Sequence, residues 1–594
     1  MCDFLFSRKL RGQGHLSKLI SGIYSESPPE VFEFHGQWGS LAVSRNLYTG
    51  FDPYETGRHI MVVLGGPVLR FCDNSFLVGT DKIAGTKAVY ERWIAEGKIK
   101  WDSDLSGPFA ILLIDKDSGE VTVVTDLLAF VHIFSYIRDD ELILSSHIDI
   151  GAKAAGKQTD LDMVSVTNFI IDSVVTYPYA FYRNFRQVEP GAVLKWQKGS
   201  DKQMTEVYWR PREENIYSSI DEAADAIRAG LKEYIDTVTR SMEKIGLFLS
   251  GGEDSRLVLA MLPGHKPRDA FIFLDGENKE GKIAKKAADF YGAKLNMFAR
   301  TPTYYLDILQ QCSELIGAGS QYEHVHAYQF YKSLNDYSAV FGGYLSDTLL
   351  KGDEIEISCI LEKFPFLPEI RGENKYCKAV HCPLFKDEIL EEILERKIAH
   401  YNFVKQFRPE SADEWVKIWP IKMCFANAQY NGHSRLFRCY EPFTANDVVK
   451  VSASVPQSWK LNRRLFRAAA KPALEKSKWL RHSDGRLPYF PWYINMPFGF
   501  AGWFYDITRR KLHLDKIYQG PWYDSEKLMA SQRAKELESQ YDAQLKYLAR
   551  QITKNADGGP LKYVTNHTQR RNWLQAAYNI HSLEKSGTNT AADV

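Results

Sequence analysis

Short apolar or β-branched runs fill the start of the chain: Val31–Phe34, Ile60–Leu64, Phe109–Ile114, Val121–Val124 and Leu142–Leu144. Turn residues such as Asp115-Lys-Asp-Ser-Gly119 separate them, so residues 1 to about 205 are predicted to be β-rich, with one helix near Thr86–Ala95. The period then changes. Ala223, Ile227, Leu231, Ile235, Val238 and Met242 recur at helical spacing between Ser219 and Lys244, with Ser219 and Glu222 placed as a capping box. Three short buried strands follow, Leu247–Leu249, Ala270–Leu274 and Leu295–Phe298. Helical segments lie between them, one through Leu257, Leu259 and Leu262, the other over Lys282–Tyr291 and ending at a C′ glycine, Gly292. This alternation predicts a parallel sheet with helices on both faces. The chain from Phe385 to about Leu480 reads as mainly helical. Beyond Pro488 the pattern predicts a long helix over Ser525–Ile552 capped by Asp524, a break at Asn555-Ala-Asp-Gly-Gly-Pro560, and disorder over the last nine residues, Ser586–Val594.

A length of 594 residues predicts two or more domains, and 44% apolar content is enough to bury their cores. Lys+Arg (75) and Asp+Glu (74) nearly cancel, so no basic field points to nucleic acid. Eight scattered cysteines without a disulfide-like framework predict a cytoplasmic protein. The start, Met-Cys-Asp-Phe-Leu-Phe-Ser, has no signal-peptide core. The aromatic region Tyr489–Tyr505 is broken by Pro491, Pro497, Gly499 and Gly502 and is too short to span a bilayer, so no membrane partner is expected.

The chemistry concentrates in Gly246-Leu-Phe-Leu-Ser-Gly-Gly-Glu-Asp-Ser-Arg-Leu-Val-Leu-Ala260. A strand ends in Ser250-Gly251-Gly252 and a helix begins. The glycines let the backbone approach an anion, and the helix start offers free N–H groups and the positive end of its dipole. Ser250 and Ser255 add hydroxyl donors, and Asp254 suits a Mg²⁺ carried by a phosphate. Neither a Walker loop nor a dinucleotide fingerprint is present. A second turn, Val340-Phe-Gly-Gly-Tyr-Leu-Ser-Asp-Thr-Leu-Leu-Lys-Gly352, again runs from a strand end through Gly-Gly to an acidic residue, Asp347. His324 and His326 form no ligand set, and Cys377, His381 and Cys382 lack a second pair at zinc-finger spacing.

Ser-Gly-Gly-x-Asp-Ser resembles the pyrophosphate loop of ATP pyrophosphatases, and the second turn resembles the Ser-Gly-Glu-Gly-x-Asp-Glu loop of asparagine synthetases. Leu105-Ser-Gly-Pro-Phe-Ala110, Val124-Thr-Asp126 through Tyr136, and Pro190-Gly191 are similar to phrases of that family's N-terminal glutaminase domain. The resemblance covers roughly residues 1–490. It implies an αββα sandwich over 1–208, an α/β parallel-sheet ATP-pyrophosphatase domain over 209–490, and leaves 491–594 as a helical extension. It implies ATP and Mg²⁺: Leu249, Ser250, Gly251, Gly252, Asp254, Ser255 and Gly343 at the nucleotide, and Asp254 and Asp347 on the metal. Cys2 falls at the family's N-terminal nucleophile. The glutamine pocket looks eroded, with Leu64-Gly-Gly-Pro67 in place of Asn-Gly-Glu and Gly85 in place of an Asp; Arg45 is the candidate for the upstream arginine. Tyr344 replaces the loop's Glu, as in the related β-lactam synthetases, where a tyrosine helps activate an amine. Ser483 stands where an Arg-x-Lys-x-Gly-Phe run has its phosphate-contacting lysine, leaving Arg481 or Arg486 to supply the charge. The implied reaction adenylates a small-molecule or peptide carboxylate and joins it to an amine or ammonia as an amide. A glutamine-hydrolysing synthetase using Cys2 and a lapsed nucleotide-binding scaffold stay open, and a homodimer is compatible with each.

Overall fold

The computed structural model describes residues 3–24, 26–45, 51–79, 81–138, 140–200, 202–378, 382–512, 518–520, 522–554, 561 and 564–590. Cys2, His381 and the expected break at 555–560 lie outside the described residues. The β-rich half is two six-stranded sheets. One runs Phe185–Gln187, Phe134–Arg138, Glu141–Ser145, Phe4–Ser7, Gly39–Ser44, Val31–Gly36, edge to edge. The other runs Gln203–Val207, Ala192–Trp196, Val121–Thr125, Phe109–Asp115, His59–Gly65, Tyr54–Glu55. Alternate side chains face each other between the sheets: Phe4, Phe6, Leu41 and Val43 meet Ile60, Val62, Leu64, Ala110 and Leu112. The intervening side chains point outward but are also covered. Leu5 and Ala42 share a core with Leu16, Ile20 and Ile148 of helices His15–Ser21 and Ile148–Ala154. Met61 and Val63 share another with Val89 of helix Ile83–Tyr90. Both faces of the central strands are therefore dry, while the edge strand Gln203–Val207 is exposed; this is why Phe109–Asp115 and Val121–Thr125 read as continuous apolar runs rather than as clean alternation. The layering is helix, sheet, sheet, helix.

The other half carries a five-stranded parallel sheet in the order Lys294–Ala299, Arg268–Leu274, Ile245–Phe248, Ala339–Phe341, Cys439–Tyr440. Ile245–Phe248 comes first in sequence. The next two strands add on one side of it and Ala339–Phe341 adds on the other, so the strand order reverses between Ile245–Phe248 and Ala339–Phe341. In open α/β sheets such a reversal leaves a crevice at the carboxyl ends of the two strands. Helix Ile220–Thr239 leads into the sheet. Ser219 Oγ accepts from the Glu222 N–H at 3.2 Å, while the Glu222 carboxylate accepts from the Ser218 N–H at 2.8 Å, so the expected box is displaced by one residue. Its face Ile227, Leu231 and Ile235 is buried in one continuous core with Phe109, Ile111 and Val124 of the sandwich.

The C-terminal extension departs from expectation in two places. The single helix expected over Ser525–Ile552 is three, Ser525–Ala530, Gln532–Gln540 and Asp542–Ile552. Ser531 turns extended (ψ 159°) and caps the Ala534 N–H at 3.2 Å, which ends one helix and starts the next. Of the tail expected to be disordered, residues 586–590 continue helix His567–Thr590, and 591–594 lie outside the described residues. That helix is anchored further back, where Trp573, Leu574, Ala577 and Ile580 are buried and Asn572 Nδ2 donates to the Phe169 and Ile170 carbonyls at 3.2 Å each. No helix among the described residues is long and apolar enough to cross a membrane.

Two buried ionisable groups mark this packing. Arg435 of the parallel-sheet half reaches Asp3 of the sandwich at 2.7 and 3.0 Å, with both side chains almost fully buried. Burial pushes the Asp3 carboxyl up, but Arg435 outweighs it and holds the group well below the usual range. Removing one partner leaves a buried charge uncompensated. Arg435→Met is therefore expected to lower the unfolding free energy by about 3–5 kcal/mol, read from denaturant midpoints, with Asp3→Asn in the same chain recovering most of the loss. Glu441, which follows the last strand, accepts from the Tyr344 N–H at 2.9 Å, and burial pushes its carboxyl up to about 8. The unfolded group ionises near 4.5, so the contribution of the neutral carboxyl is full below that pH and is lost as pH rises towards 8. The melting temperature of Glu441→Gln should accordingly gain on wild type from pH 5 to pH 8 and run parallel to it above; a constant difference across that range would contradict a neutral Glu441.

Candidate active site

The two glycine turns lie at the crevice where the strand order reverses. After Phe248, the Leu249 N–H still donates to the Phe271 carbonyl at 2.9 Å, and the chain then turns away. Ser250 N–H donates to Ser255 Oγ at 3.1 Å and Gly252 N–H to Ser250 Oγ at 3.0 Å, so the two predicted hydroxyls hold the turn itself. Helix Asp254–Met261 starts without a side-chain cap, which leaves its first N–H groups facing the crevice. The Gly251 N–H is taken: Glu280, from the start of helix Lys279–Tyr291, accepts it at 2.6 Å. A carboxylate thus sits where the predicted cradle would hold an anion, and the sequence reading missed Glu280. The second turn touches the first at Gly343. A Cβ there would lie 2.9 Å from the Ser255 nitrogen and 3.0 Å from Asp254 Cβ, so only glycine lets the two turns meet. Leu345 takes φ 73°, a left-handed conformation, at the position that the similar loop fills with its second glycine.

That contact brings Asp254 and Asp347 together on a residue the sequence reading did not single out, Lys351. Its ammonium lies 2.5 Å from Asp254 Oδ1, 2.8 Å from Asp347 Oδ1 and 3.3 Å from Glu253 Oε1, and sits 4.6 Å from the centroid of the Phe466 ring. Its side chain is 5% exposed. Burial opposes its charge, but the three carboxylates outweigh burial and hold it protonated, above the ordinary lysine range. Asp254 is pushed up to about 6, by burial first and then by Asp347. Glu253 is held well below the usual range, because Arg463 and Lys351 overcome its burial. The signal for Lys351 in the sequence is its i,i+4 spacing from Asp347, realised here in one π-helical turn, Asp347–Lys351.

The segment Arg481–Arg486 lies against the first turn, with the Ser483 N–H donating to the Gly251 carbonyl at 3.2 Å. The two arginines differ in how they are held, and only Arg486 is paired with a carboxylate. Arg481 stacks over Phe498 at 5.4 Å, and Arg486 pairs with Asp484 at 2.5 Å. Arg256 is committed to the Leu480 and Arg481 carbonyls at 2.8 and 2.9 Å. Tyr344 also differs from expectation. Its hydroxyl donates to Asn427 Oδ1 at 3.2 Å, and Asn427 Nδ2 lies 2.8 Å from His132 Nε2 of the sandwich. Burial, with Cys424 beside it, pushes the phenol well above its ordinary range.

In the sandwich, a Cβ on Gly85 would lie 2.7 Å from the Phe51 ring, which leaves no room for the carboxylate of a glutamine pocket. Gly65, at φ 91°, packs on the Pro108 carbonyl, and Arg45 pairs with Glu30 at 3.0 Å. Asp126 is buried and accepts the Leu128 and Phe130 N–H groups at 3.0 Å, which accounts for it as the pin of its own turn. His324 and His326 sit in and just after a 3₁₀ turn, and no metal-binding group of three or more His, Cys, Asp or Glu is found among the described residues.

Residues 85–209 match the family model described as glutamine amidotransferase domain, and residues 226–423 match asparagine synthase. Proteins of Mycobacterium bovis and Mycobacterium tuberculosis, each named "Putative asparagine synthetase (glutamine-hydrolyzing)", are 25% identical over 201 residues. The match covers 32% of this chain and 30% of each relative, so it spans less than a third of the relatives' length. Among solved structures, an allosteric regulatory enzyme of purine biosynthesis aligns at TM-score 0.24 and 12% identity, over 42% of this chain and 60% of that one. A glutamine phosphoribosylpyrophosphate amidotransferase from B. subtilis aligns at TM-score 0.24 and 10% identity, over 50% and 91%. The two matched stretches are thus a glutamine amidotransferase domain followed by an asparagine synthase domain.

Proposed function

We propose that the chain is an ATP-dependent carbon–nitrogen ligase. A substrate carboxylate oxygen attacks the α-phosphorus of ATP, the bond to pyrophosphate breaks, and the resulting acyl-adenylate is opened by an amine or ammonia to give an amide and AMP. The observation that carries this reading is the meeting of Asp254 and Asp347 from two turns of adjacent parallel strands, beside an uncapped helix start. The donor set suits Mg²⁺: both groups are hard oxygen ligands, and the buried Asp254 Oδ1 receives no aligned hydrogen bond although Lys351 is in ion-pair contact. Mg²⁺, when bound, would screen the charge of the β- and γ-phosphates. Ser250, Gly251, Gly252, Ser255 and Gly343 would line the phosphates and Leu249 the nucleotide, with Glu280 giving up the Gly251 N–H as they enter. In this reading 1–208, 209–490 and 491–594 act as amidotransferase-like, synthetase and accessory parts of a cytoplasmic enzyme.

The amidotransferase match favours a second reading, in which Cys2 hydrolyses glutamine and delivers ammonia. The filled space at Gly85 speaks for an amine or free ammonia taken directly. Pyrophosphate release with ATP·Mg²⁺, aspartate or pooled carboxylates, and either glutamine or ammonium separates these outcomes. Asp254→Ala should lower release on the order of a hundredfold. Release supported by ammonium, and untouched by Cys2→Ala, would favour the direct amine route; release that needs glutamine and is lost in Cys2→Ala would favour hydrolysis. Nucleotide binding without release from any mixture would remove the ligase reading in favour of a nucleotide-binding scaffold.

A further inference from the structure

The crevice holds many charges, and nearly all have a fixed opposite. Glu253 is paired with Arg463, Arg486 and His482 with Asp484, and Arg256 with two backbone carbonyls. Arg481 lies over an aromatic ring. Asp353, nearby, is pushed up to about 6 by burial and by Asp347 and adds no cation. The cation that bridges the two carboxylates suited to a metal is Lys351, which also reaches Glu253. Both contacts are at ion-pair distance, so the ammonium and a divalent ion would compete for the same oxygens. An ammonium on a four-carbon stem can change partners by rotating its own bonds, which a guanidinium locked to two carbonyls cannot. The similarity to Arg-x-Lys-x-Gly-Phe also leaves a vacancy, because Ser483 has no charge and packs on Gly251.

Resting on the ligase reading above, we infer that Lys351 is the exchangeable cation of this site. In the free protein it neutralises Asp254 and Asp347. When ATP·Mg²⁺ binds, it yields those carboxylates and moves its ammonium to the triphosphate, supplying the positive charge that Ser483 does not. The exchange keeps charge in balance at each stage. The buried Asp254 is never left bare beside Asp347, and the phosphates arrive to a cation released from its partners. It also gives the Asp347–Lys351 turn a purpose: the i,i+4 spacing lets one turn carry both the carboxylate and the cation that guards it.

The test uses the full chain, inorganic pyrophosphate at saturating Mg²⁺ as the anion, and Mn²⁺ without nucleotide as the metal probe. Lys351→Gln should weaken pyrophosphate binding by about tenfold or more, measured by titration calorimetry. It should also tighten Mn²⁺ binding, measured by electron paramagnetic resonance, because the competing ammonium is gone. Ser483→Lys added to Lys351→Gln should restore pyrophosphate binding without loosening Mn²⁺. A lysine that serves only as a counter-ion would tighten Mn²⁺ binding on removal but leave pyrophosphate binding unchanged, so a folded Lys351→Gln with unchanged pyrophosphate binding overturns the inference. If Lys351→Gln fails to fold, the charge-balanced pair Lys351→Gln/Asp347→Asn is compared with Asp347→Asn alone; equal pyrophosphate binding at saturating Mg²⁺ in the two overturns it. The two proposals fail separately. Wild type that releases pyrophosphate while Lys351→Gln binds normally loses only the exchange, whereas pyrophosphate binding through Lys351 without any turnover loses the ligase and keeps the exchange.

Discussion

Parallel pairing of Ile245–Phe248 between Arg268–Leu274 and Ala339–Phe341 is the constraint on which the candidate site depends. It places two strand ends side by side and aims two turns into one crevice. Gly343 then lets the turns touch, and the contact fixes how far apart Asp254 and Asp347 can be. Asp254 is buried and the half-exposed Asp347 beside it repels its charge, which is why Asp254 is pushed up and why a cation lies between them. Lys351 follows from the geometry: without it, or a metal, the turns would carry an uncompensated pair of charges.

The sandwich is not a separate body tethered in front of this sheet. Helix Ile220–Thr239 buries its apolar face in a core that runs on into Phe109, Ile111 and Val124. Arg435 inserts its charge beside Asp3, and Asn446 binds the Leu105 carbonyl at 2.7 Å. The extension adds a third tie, since helix His567–Thr590 donates from Asn572 to carbonyls of helix Met163–Asp172. Tyr344, Asn427 and His132 form one hydrogen-bonded line from the second turn to the sandwich. Packing at the second turn is therefore felt across the boundary between the halves.

Much of this was readable in advance, and the reasons differ by region. Both faces of the central sandwich strands are dry, so Phe109–Ile114 and Val121–Val124 stand out as plain apolar runs. Helix Lys279–Tyr291 ends at Gly292 with φ 69°, as a C′ glycine should. Positions that break their usual rule were harder. Ala129 and Leu345 take positive φ where the similar family phrases carry glycine, so the turns persist without their glycine signature. Ser531 interrupts a pattern that otherwise fits one helix, because its cap competes with continuing the helix.

The amino-acid order alone determined the element types, the strand–turn–helix at Ser250-Gly251-Gly252 and the acidic ends of both turns, because hydrophobic period and turn chemistry are local properties. Tertiary structure decided which charges meet. Arg481 and Arg486 were reasonable candidates by position, yet one lies on Phe498 and the other on Asp484. Glu280 and Lys351, unremarkable in the sequence, stand at the Gly251 amide and between the two aspartates. The partner of a long charged side chain is set by what the fold brings within a few ångströms after burial; spacing along the chain offers Lys351 its neighbour Asp347, but not Asp254 or Glu253 from the other turn.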